Sequence, residues 1–510
     1  MTTSLRIAVA AGAVQGVERR GLRMWRGIPY AAAPVGELRF RAPHPVPSWN
    51  GTRDAADFGP VAPQDREGQF IGPAKGVPVD ENCLTLNVIA PNHDGSGLPV
   101  MVFVHGGAYS VGSSREVRFL GEGLVRAGDV VFVTFNYRLG ALGYLDFTRY
   151  STPTRRFESN LGLRDQVAAL EWVRENIAVF GGDPNNVTLF GESAGGNAVT
   201  TLMAVPSAHG LFTRAIAQSP PSNAIYPAER AAEWAGEFVE LLSEIIDNSS
   251  TDSTTDEDAV TLLDSADIGS LVRATTRMQL RAPDYAPGTI ALSPVIDGDF
   301  LPERPLDAFK SGRAAPVPLV IGTNDREGSV FTGRLDILAT TPPRIRAIFA
   351  KTPKKSRKAL KAQYPGLPAK RAAADFGGDY AFWFPSVKVA ERHAHFAPVH
   401  FYRFDPAPRL LRMLGIDATH GLELFALFDR MDSLFGRGIG ALGGRRAFKR
   451  VGERMQRRWL RFARDGSFDE DWPKYTQRKR RTLIIDVVDR VEEDPRGERR
   501  RAWQDFVPHV

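Results

Sequence analysis

The chain has 510 residues, of which 43% are hydrophobic and 24% charged, with 48 Gly and 36 Pro. That balance belongs to a folded globular chain and excludes fibrous and wholly disordered classes, while the length admits either two domains or one large α/β unit with insertions. The formal charge of +6 sits in short clusters, Lys354, Lys355, Arg357 and Lys358 and then Arg499 to Arg501, with no interleaved aromatics and no nucleic-acid module, so these read as solvated faces and no nucleic-acid partner is expected.

In chain order, Met1 to Gly16 carries one basic residue ahead of a weak apolar run, Ile7 to Ala11, which Gly12 and Gly16 punctuate. This is not the pattern of a signal peptide. The strongest apolar stretches, Leu98 to Val104 and Val130 to Phe135, stop far short of the ~20 residues a membrane-spanning helix needs. A soluble, cytoplasmic chain is expected. Cys83 is the only cysteine, which rules out an internal disulfide and reads as a small buried side chain.

Pro99–Val104 and Val130–Phe135 lack polar alternation, as strands of a sheet covered on both faces do. A long polar loop and a short helix lie between them. Leu163, Val167, Leu170, Val173, Ile177 and Phe180 recur at three and four residues and predict a helix over 163–180, ended by Gly181 and Gly182. Val187–Phe190 reads as a short strand and Asn197–Ala204 as a helix. Strands alternating with helices imply a parallel, doubly wound sheet. Asp247 to Asp258, rich in Ser, Thr and Asp, reads as an exposed flexible loop. Leu319–Gly322, Val399–Phe404 and Thr482–Val488 read as further strands. The whole chain, 1–510, is expected to form one α/β domain, with helical insertions at about 225–290 and 326–395 capping the sheet.

Gly191-Glu192-Ser193-Ala194-Gly195 fits the G-x-S-x-G turn, in which a sharp strand-to-helix reversal presents a serine hydroxyl above the sheet. A β-type run before it and a helical run after it supply the context the motif needs. His105-Gly106-Gly107-Ala108-Tyr109 follows a predicted strand, at the carboxyl edge where open α/β sheets bind ligands. Its small residues let amides approach an oxygen that becomes anionic during attack; Gly107, Ala108 and Ala194 are the candidate donors.

Together these residues resemble the type-B carboxylesterase/lipase family, which includes the cholinesterases and bacterial p-nitrobenzyl esterases. The likeness spans most of the chain. It is carried by Trp25–Tyr30, Leu38–Phe40, Glu81–Leu84, Leu86–Val88, Asn136–Gly140, Asn160–Gln166, Phe180–Pro184 and Phe190–Gly196, all in order. The resemblance implies the α/β-hydrolase fold and hydrolysis of carboxylic esters without metal or cofactor. It also implies that Arg39 with Glu81 and Arg138 with Asp183 form structural ion pairs, that Ser219 supports the catalytic residues by hydrogen bonding, and that Glu192 lies beside the site. Pro220 replaces the usual glycine after Ser219, and Asn82 the usual aspartate beside Cys83.

A serine hydroxyl needs a base, and the base an orienting acid, in the chain order Ser, acid, His. His393, His395, His400, His420 and His509 lie late enough. His393 and His395 fall on a predicted helix and His400 in a strand, where packing is the expected role, whereas His420 precedes Gly421 in a loop and its segment, His420 to Leu424, resembles the family's histidine segment. His393-Ala-His395 is the only metal-like spacing, and it lacks a third ligand. After the strand at 319–322, Glu327 matches the family's acid position, with Asp325 as rival and Arg326 where an acidic neighbour is usual. The Gly-Gly-Ala loop resembles that of relatives accepting bulky, even tertiary, alcohols. The alternatives are a catalytically idle interaction protein of the same fold and an amidase using the same three residues; oligomeric state is not legible.

Overall fold

The structure, a computed structural model, describes residues 5–65, 72–74, 76–93, 95–116, 120–247, 255–331 and 337–504. Its centre is an eleven-stranded sheet. In chain order the strands are β1 (Val17–Arg19), β2 (Leu22–Pro29), β3 (Thr85–Pro91), β4 (Leu98–Val104), β5 (Val131–Phe135) and β6 (Gly182–Glu192), then β7 (Arg214–Gln218), β8 (Leu319–Asn324), β9 (Val399–Phe404), β10 (Arg481–Ile485) and β11 (Arg490–Glu493). Their spatial order is β11-β10-β9-β8-β7-β6-β4-β5-β3-β2-β1. The run from β5 to β10 is parallel, and the strands at either margin are antiparallel.

The uniform apolar character of the central strands follows from two separate cores. In β4, Val100, Val102 and Val104 face one and Met101 and Phe103 the other; β5 divides Val131, Val133 and Phe135 from Phe132 in the same way. Period-two geometry sends neighbouring side chains to opposite faces, and with both faces covered neither set can be polar. One face is covered by helix α1 (Leu161–Asn176) and by helices of regions 225–290 and 326–395. The other is covered mainly by the helix Arg445–Asp465, whose Phe448, Val451, Met455, Trp459 and Phe462 repeat at three and four residues.

The ends of several elements differ from the sequence reading. The helix expected over 163–180 is α1 followed by a tight turn, Ile177–Phe180, closed at Gly181 with φ 91°. Gly182 does not end that helix but begins β6. The helix after Ser193 starts at once, as α2 (Ala194–Leu202). The loop expected over 247–258 is shorter: Asp247 closes a helix, and Asp256–Asp258 open the next one, where the Thr255 hydroxyl accepts from Asp258 N and the Asp258 carboxylate accepts from Thr255 N. This reciprocal cap, with three acids in the first turn, turns a loop-like composition into a helix start. Residues 248–254 lie outside the described residues.

Region 225–290 carries α3 (Ala228–Asp247), α4 (Asp256–Ser265) and α5 (Ile268–Tyr285); region 326–395 carries α6 (Pro342–Lys351), α7 (Lys354–Gln363), α8 (Lys370–Gly378) and α9 (Phe384–His393). No helix among the described residues is long and apolar enough to cross a membrane. Arg39 pairs with Glu81 (2.5 and 2.9 Å). Arg138 does not pair with Asp183. It is buried against Asp165 of α1, which takes its backbone N–H and two guanidinium N–H groups at 2.6–3.0 Å, because the chain leaving β5 runs directly over the first turns of that helix. Asp183 instead accepts from Asn185 N. Cys83 is free and buried, and burial pushes its thiol well above the ordinary range.

Candidate active site

β6 delivers Ser193 to the carboxyl edge of the sheet with φ 60° and ψ −124°, a conformation that non-glycine residues adopt only when the surroundings impose it. Ser193 N donates to Gln218 O (2.9 Å) and Asn197 N to Ser193 O (2.8 Å). The flanking glycines are dictated by backbone contact. A Cβ on Gly195 would lie 2.1 Å from Val104 O, and one on Gly196 2.6 Å from Gln218 O, so α2 can press onto β4 and β7 only without side chains there.

The loop leaving β4 is equally constrained: Gly107, Ala108 and Tyr109 all have positive φ (119°, 51° and 56°). Tyr109 fixes it by stacking on Tyr144 (3.9 Å between centroids) and donating to Asn197 Oδ1 (2.6 Å). Asn197 Nδ2 in turn donates to Pro221 O, so one α2 residue ties two loops around the serine. The amides of Gly107, Ala108 and Ala194 donate to no protein acceptor among the described residues. Ala194 opens α2, where an N–H is unsatisfied by helix geometry and the dipole favours negative charge. All three line one cavity with Ser193, His420 and Glu192.

His420 is brought to this cavity from a loop 227 positions further along the chain. Its Nδ1 lies 2.5 Å from Glu327 Oε2. The other oxygen of Glu327 accepts from Asn324 N (2.5 Å) and Ser219 Oγ (2.6 Å), so the carboxylate is held at both ends. Asp325 points elsewhere, to Arg496 (2.7 Å) and Arg403 (3.4 Å). The imidazole lies against Phe382 (4.3 Å) and Phe331 (5.1 Å). Its Nε2 has no hydrogen-bond partner among the described residues, with Glu192 Oε1 at 3.3 Å. Of the other histidines, His393 is turned to Val317 O and His400 to Trp472 O; His395 lies just beyond α9, and His509 is outside the described residues.

One residue of the cluster escaped the sequence reading. Glu423 is fully buried and accepts from Asn324 Nδ2 (2.5 Å) and Ser219 Oγ (3.3 Å). Its signal was a single acid within the apolar run Leu422 to Leu427, since an acid placed among buried positions needs dedicated partners. Burial pushes the Glu192 carboxyl up to about 7 and, with the charges of Glu192 and Glu327, that of Glu423 up to about 8. Burial opposes an imidazolium at His420, but the carboxylates of Glu192 and Glu327 outweigh it and raise the ring to about 9.

Arg326, the departure beside Glu327, is buried and donates to Asp375 (2.8 Å), to Gly415 O (2.5 Å) and to Asp417 (2.8 Å), while its backbone N–H donates to Ala418 O (2.9 Å). It therefore binds the acid loop to the loop that carries His420. The cavity above these residues has a volume of about 160 Å³ and walls of Ala224, Leu280, Ile290, Val330, Phe331, Ile337, Phe382, Leu424 and Phe425. An apolar chamber with a few polar groups at its floor suits a neutral organic substrate.

The Carboxylesterase family model matches residues 3–503. The para-nitrobenzyl esterase of Bacillus subtilis (strain 168) is 35% identical over 493 residues, 96% of each chain. The fumonisin B1 esterase of Sphingopyxis macrogoltabida is 34% identical, over 92% of this chain and 84% of its own. A solved thermophilic PNB esterase superposes with a TM-score of 0.86 at 34% identity, over 98% of this chain and 100% of its own. With the doubly wound sheet already described, these likenesses establish the α/β-hydrolase fold and esterase activity: the chain belongs to the carboxylesterase family and is a carboxylic ester hydrolase of the Ser-His-Glu type.

Proposed function

We propose that Ser193 is the nucleophile, His420 the proton carrier and Glu327 the acid that orients it. The observation that carries this reading is the imidazole held through Nδ1 by Glu327 at 2.5 Å, with Nε2 left without a hydrogen-bond partner among the described residues and the residue lining the same cavity as Ser193. Ser193 Oγ adds to the ester carbonyl as its proton passes to His420 Nε2, and the oxyanion is met by the amides of Gly107, Ala108 and Ala194. Collapse expels the alcohol, which takes the proton from His420, and leaves an acyl-serine. Water then attacks through the same imidazole and releases the acid. Ser219 and Glu423 hold the acid loop, and Glu192 sets the charge at Nε2.

The substrate is a small neutral ester with an apolar acyl or alcohol part, given the apolar lining. The domain reading is one catalytic unit over 1–510, with the regions at 225–290 and 326–395 as insertions that wall the cavity. The lone buried thiol of Cys83 fits a reducing compartment, and cytoplasm is the proposed location. A panel of p-nitrophenyl esters from acetyl to palmitoyl tests the assignment: wild type turns over part of the panel and Ser193→Ala loses at least ~10³-fold in kcat. Turnover surviving in Ser193→Ala would overturn the nucleophile. A tert-butyl ester left untouched beside rapid cleavage of simple esters would overturn the bulky-alcohol expectation, and anilide cleavage as fast as ester cleavage would favour an amidase.

A further inference from the structure

One surface of the molecule combines apolar exposure with uncompensated positive charge. It is built from two short helices, α10 (Arg409–Met413) and α11 (Leu434–Ile439), with the turn at 441–444 between α11 and the helix Arg445–Asp465. Arg409 N reaches Gly443 O, and α10 packs beside α11, so the parts form one face. Leu434 is 83% exposed, Met413 67%, Leu414 62% and Leu442 48%. Exposed large apolar side chains scattered singly need no explanation, but a contiguous group of them marks a contact surface.

The charges around this group point to what covers it. Arg409, Arg412, Arg437 and Arg446 are exposed, and their guanidinium groups have no ion pair or hydrogen bond among the described residues. The acids nearby are already engaged: Asp417 by Arg326 and Arg371, Asp429 by Lys449, and Asp432 by Arg445 and Lys449. A second copy of the chain would set these arginines against their equals. Met413 ends α10 and Leu434 begins α11, with Leu414 just beyond α10 and Leu442 in the turn, so these protruding side chains suit shallow insertion between headgroups more than the seating of a peptide. Phe435 of α11 packs at a tilt against Phe425 (5.1 Å between centroids), and Phe425 lines the active-site cavity, so the face adjoins the chamber wall.

We propose that this face docks the enzyme on an anionic lipid surface, with Met413, Leu414, Leu434 and Leu442 entering the interfacial zone and the four arginines on the headgroup charges. The docking rests on the face alone. Its use, taking up apolar esters dissolved in the bilayer, rests on the assignment of the cavity as catalytic.

The test is co-sedimentation of the full chain with phosphatidylcholine vesicles, with and without about a third phosphatidylglycerol, a composition that supplies the negative surface potential to which polybasic segments respond. Anionic vesicles should bind at least about tenfold more protein than neutral ones, and raising the salt to ~0.5 M should cancel most of the difference. Arg409→Gln with Arg412→Gln, and separately Leu434→Ser with Met413→Ser, should each lower binding about tenfold. All variants should cleave dissolved p-nitrophenyl acetate at the wild-type rate, which separates failure of docking from failure of the catalytic assignment. Equal binding to both vesicle types, wild-type binding by either variant, or tight retention on polyglutamate that ignores the apolar substitutions would overturn the proposal, the last in favour of an acidic protein partner. A dimer in light scattering that Leu434→Ser dissolves would overturn it in favour of a second copy.

Discussion

His420, the proposed proton carrier, is the residue on which three buried carboxyl groups converge, and in that role its protonation would set when it accepts the serine proton. An imidazolium cannot act as a base, so kcat/KM falls as pH drops through the pKa of the ring. Because Glu192 and Glu327 raise that pKa to about 9, the acid limb of the wild-type profile is expected above the ordinary imidazole range. Glu192→Gln removes the charge 3.3 Å from Nε2, so the ring loses its proton more readily and the acid limb should move to lower pH. A pH profile of kcat/KM on a short-chain ester checks this; an unmoved limb would mean that Glu192 does not act on the base. The same cluster shows what was legible one residue at a time. Ser193 and Glu327 sit in loops with their own glycine signatures, and Asp325 was a rival only until the geometry turned it toward Arg496. Glu423 and the clamp made by Arg326 carry no local motif, because their roles exist only once the loops at 324–327 and 415–423 lie side by side. For Arg326, Ala substitution leaves half-buried Asp375 without this cation and Asp417 with only the exposed Arg371, which should cost about 1–2 kcal/mol in urea unfolding and weaken the hold on His420; a cost under ~0.5 kcal/mol would show that solvent and Arg371 satisfy both acids.

Elements were legible where burial is two-sided. Strands β4 and β5 emerge from apolar runs, since each feeds two cores and, Thr134 apart, neither side carries a polar residue. Their ends and those of the helices were less legible, because caps and strained turns decide them. Thr255 converts acidic residues into a helix start, and Gly182 extends β6 because β4 pairs with it as far as Leu98. The misplaced partner of Arg138 has the same origin: Asp183 and Asp165 are both acids near a helix, and only the crossing of the chain over α1 selects Asp165. At this scale the elbow makes the sharpest claim. Gly195→Ala drives a carbon to 2.1 Å from Val104 O, a backbone atom within a central strand, so α2 must move away from β4 and carry Ser193 with it. Expected are a loss of about 1–3 kcal/mol in stability and at least ~10²-fold in kcat, since a shift of about 1 Å in a reacting group is already felt at that level. Gly438→Ala, where the added carbon meets nothing within 4 Å, is the control and should leave both quantities unchanged. Parity between the two variants would mean that the elbow relaxes without moving its serine.

For the whole molecule, the decisive contact joins the last described helix, α12 (Gly497–Gln504), to the helices of region 326–395. Trp503 is fully buried, its ring 5.4 Å from Phe376, 5.6 Å from Phe384 and 6.1 Å from Tyr380, and its Nε1 donates to Tyr364 OH (2.6 Å). Tyr364 OH donates in turn to Asp379 (2.7 Å), which also receives Arg499 (2.8 Å) and Arg496 (3.2 Å). Arg496 then reaches Asp325, two residues from Glu327, while Asp379 opens the turn that sets Phe382 against His420. The segment Arg496–Trp503 is thus bound to the acid loop and to the aromatic wall of the imidazole at once, although the three segments are remote in sequence. Trp503→Ala removes a large ring from a packed aromatic cluster and leaves Tyr364 without its donor, so unfolding in urea should be easier by about 3–5 kcal/mol. Because the same contact steadies Phe382 and the acid loop, kcat should fall before global unfolding begins, at urea concentrations where the wild type keeps full activity. Trp503→Phe, which keeps most of the packing but not the donor, should lie between the two. If Trp503→Ala unfolds at the wild-type midpoint with unchanged kcat, the last described helix merely lies on the surface, and region 326–395 is held in place by its own contacts with the sheet.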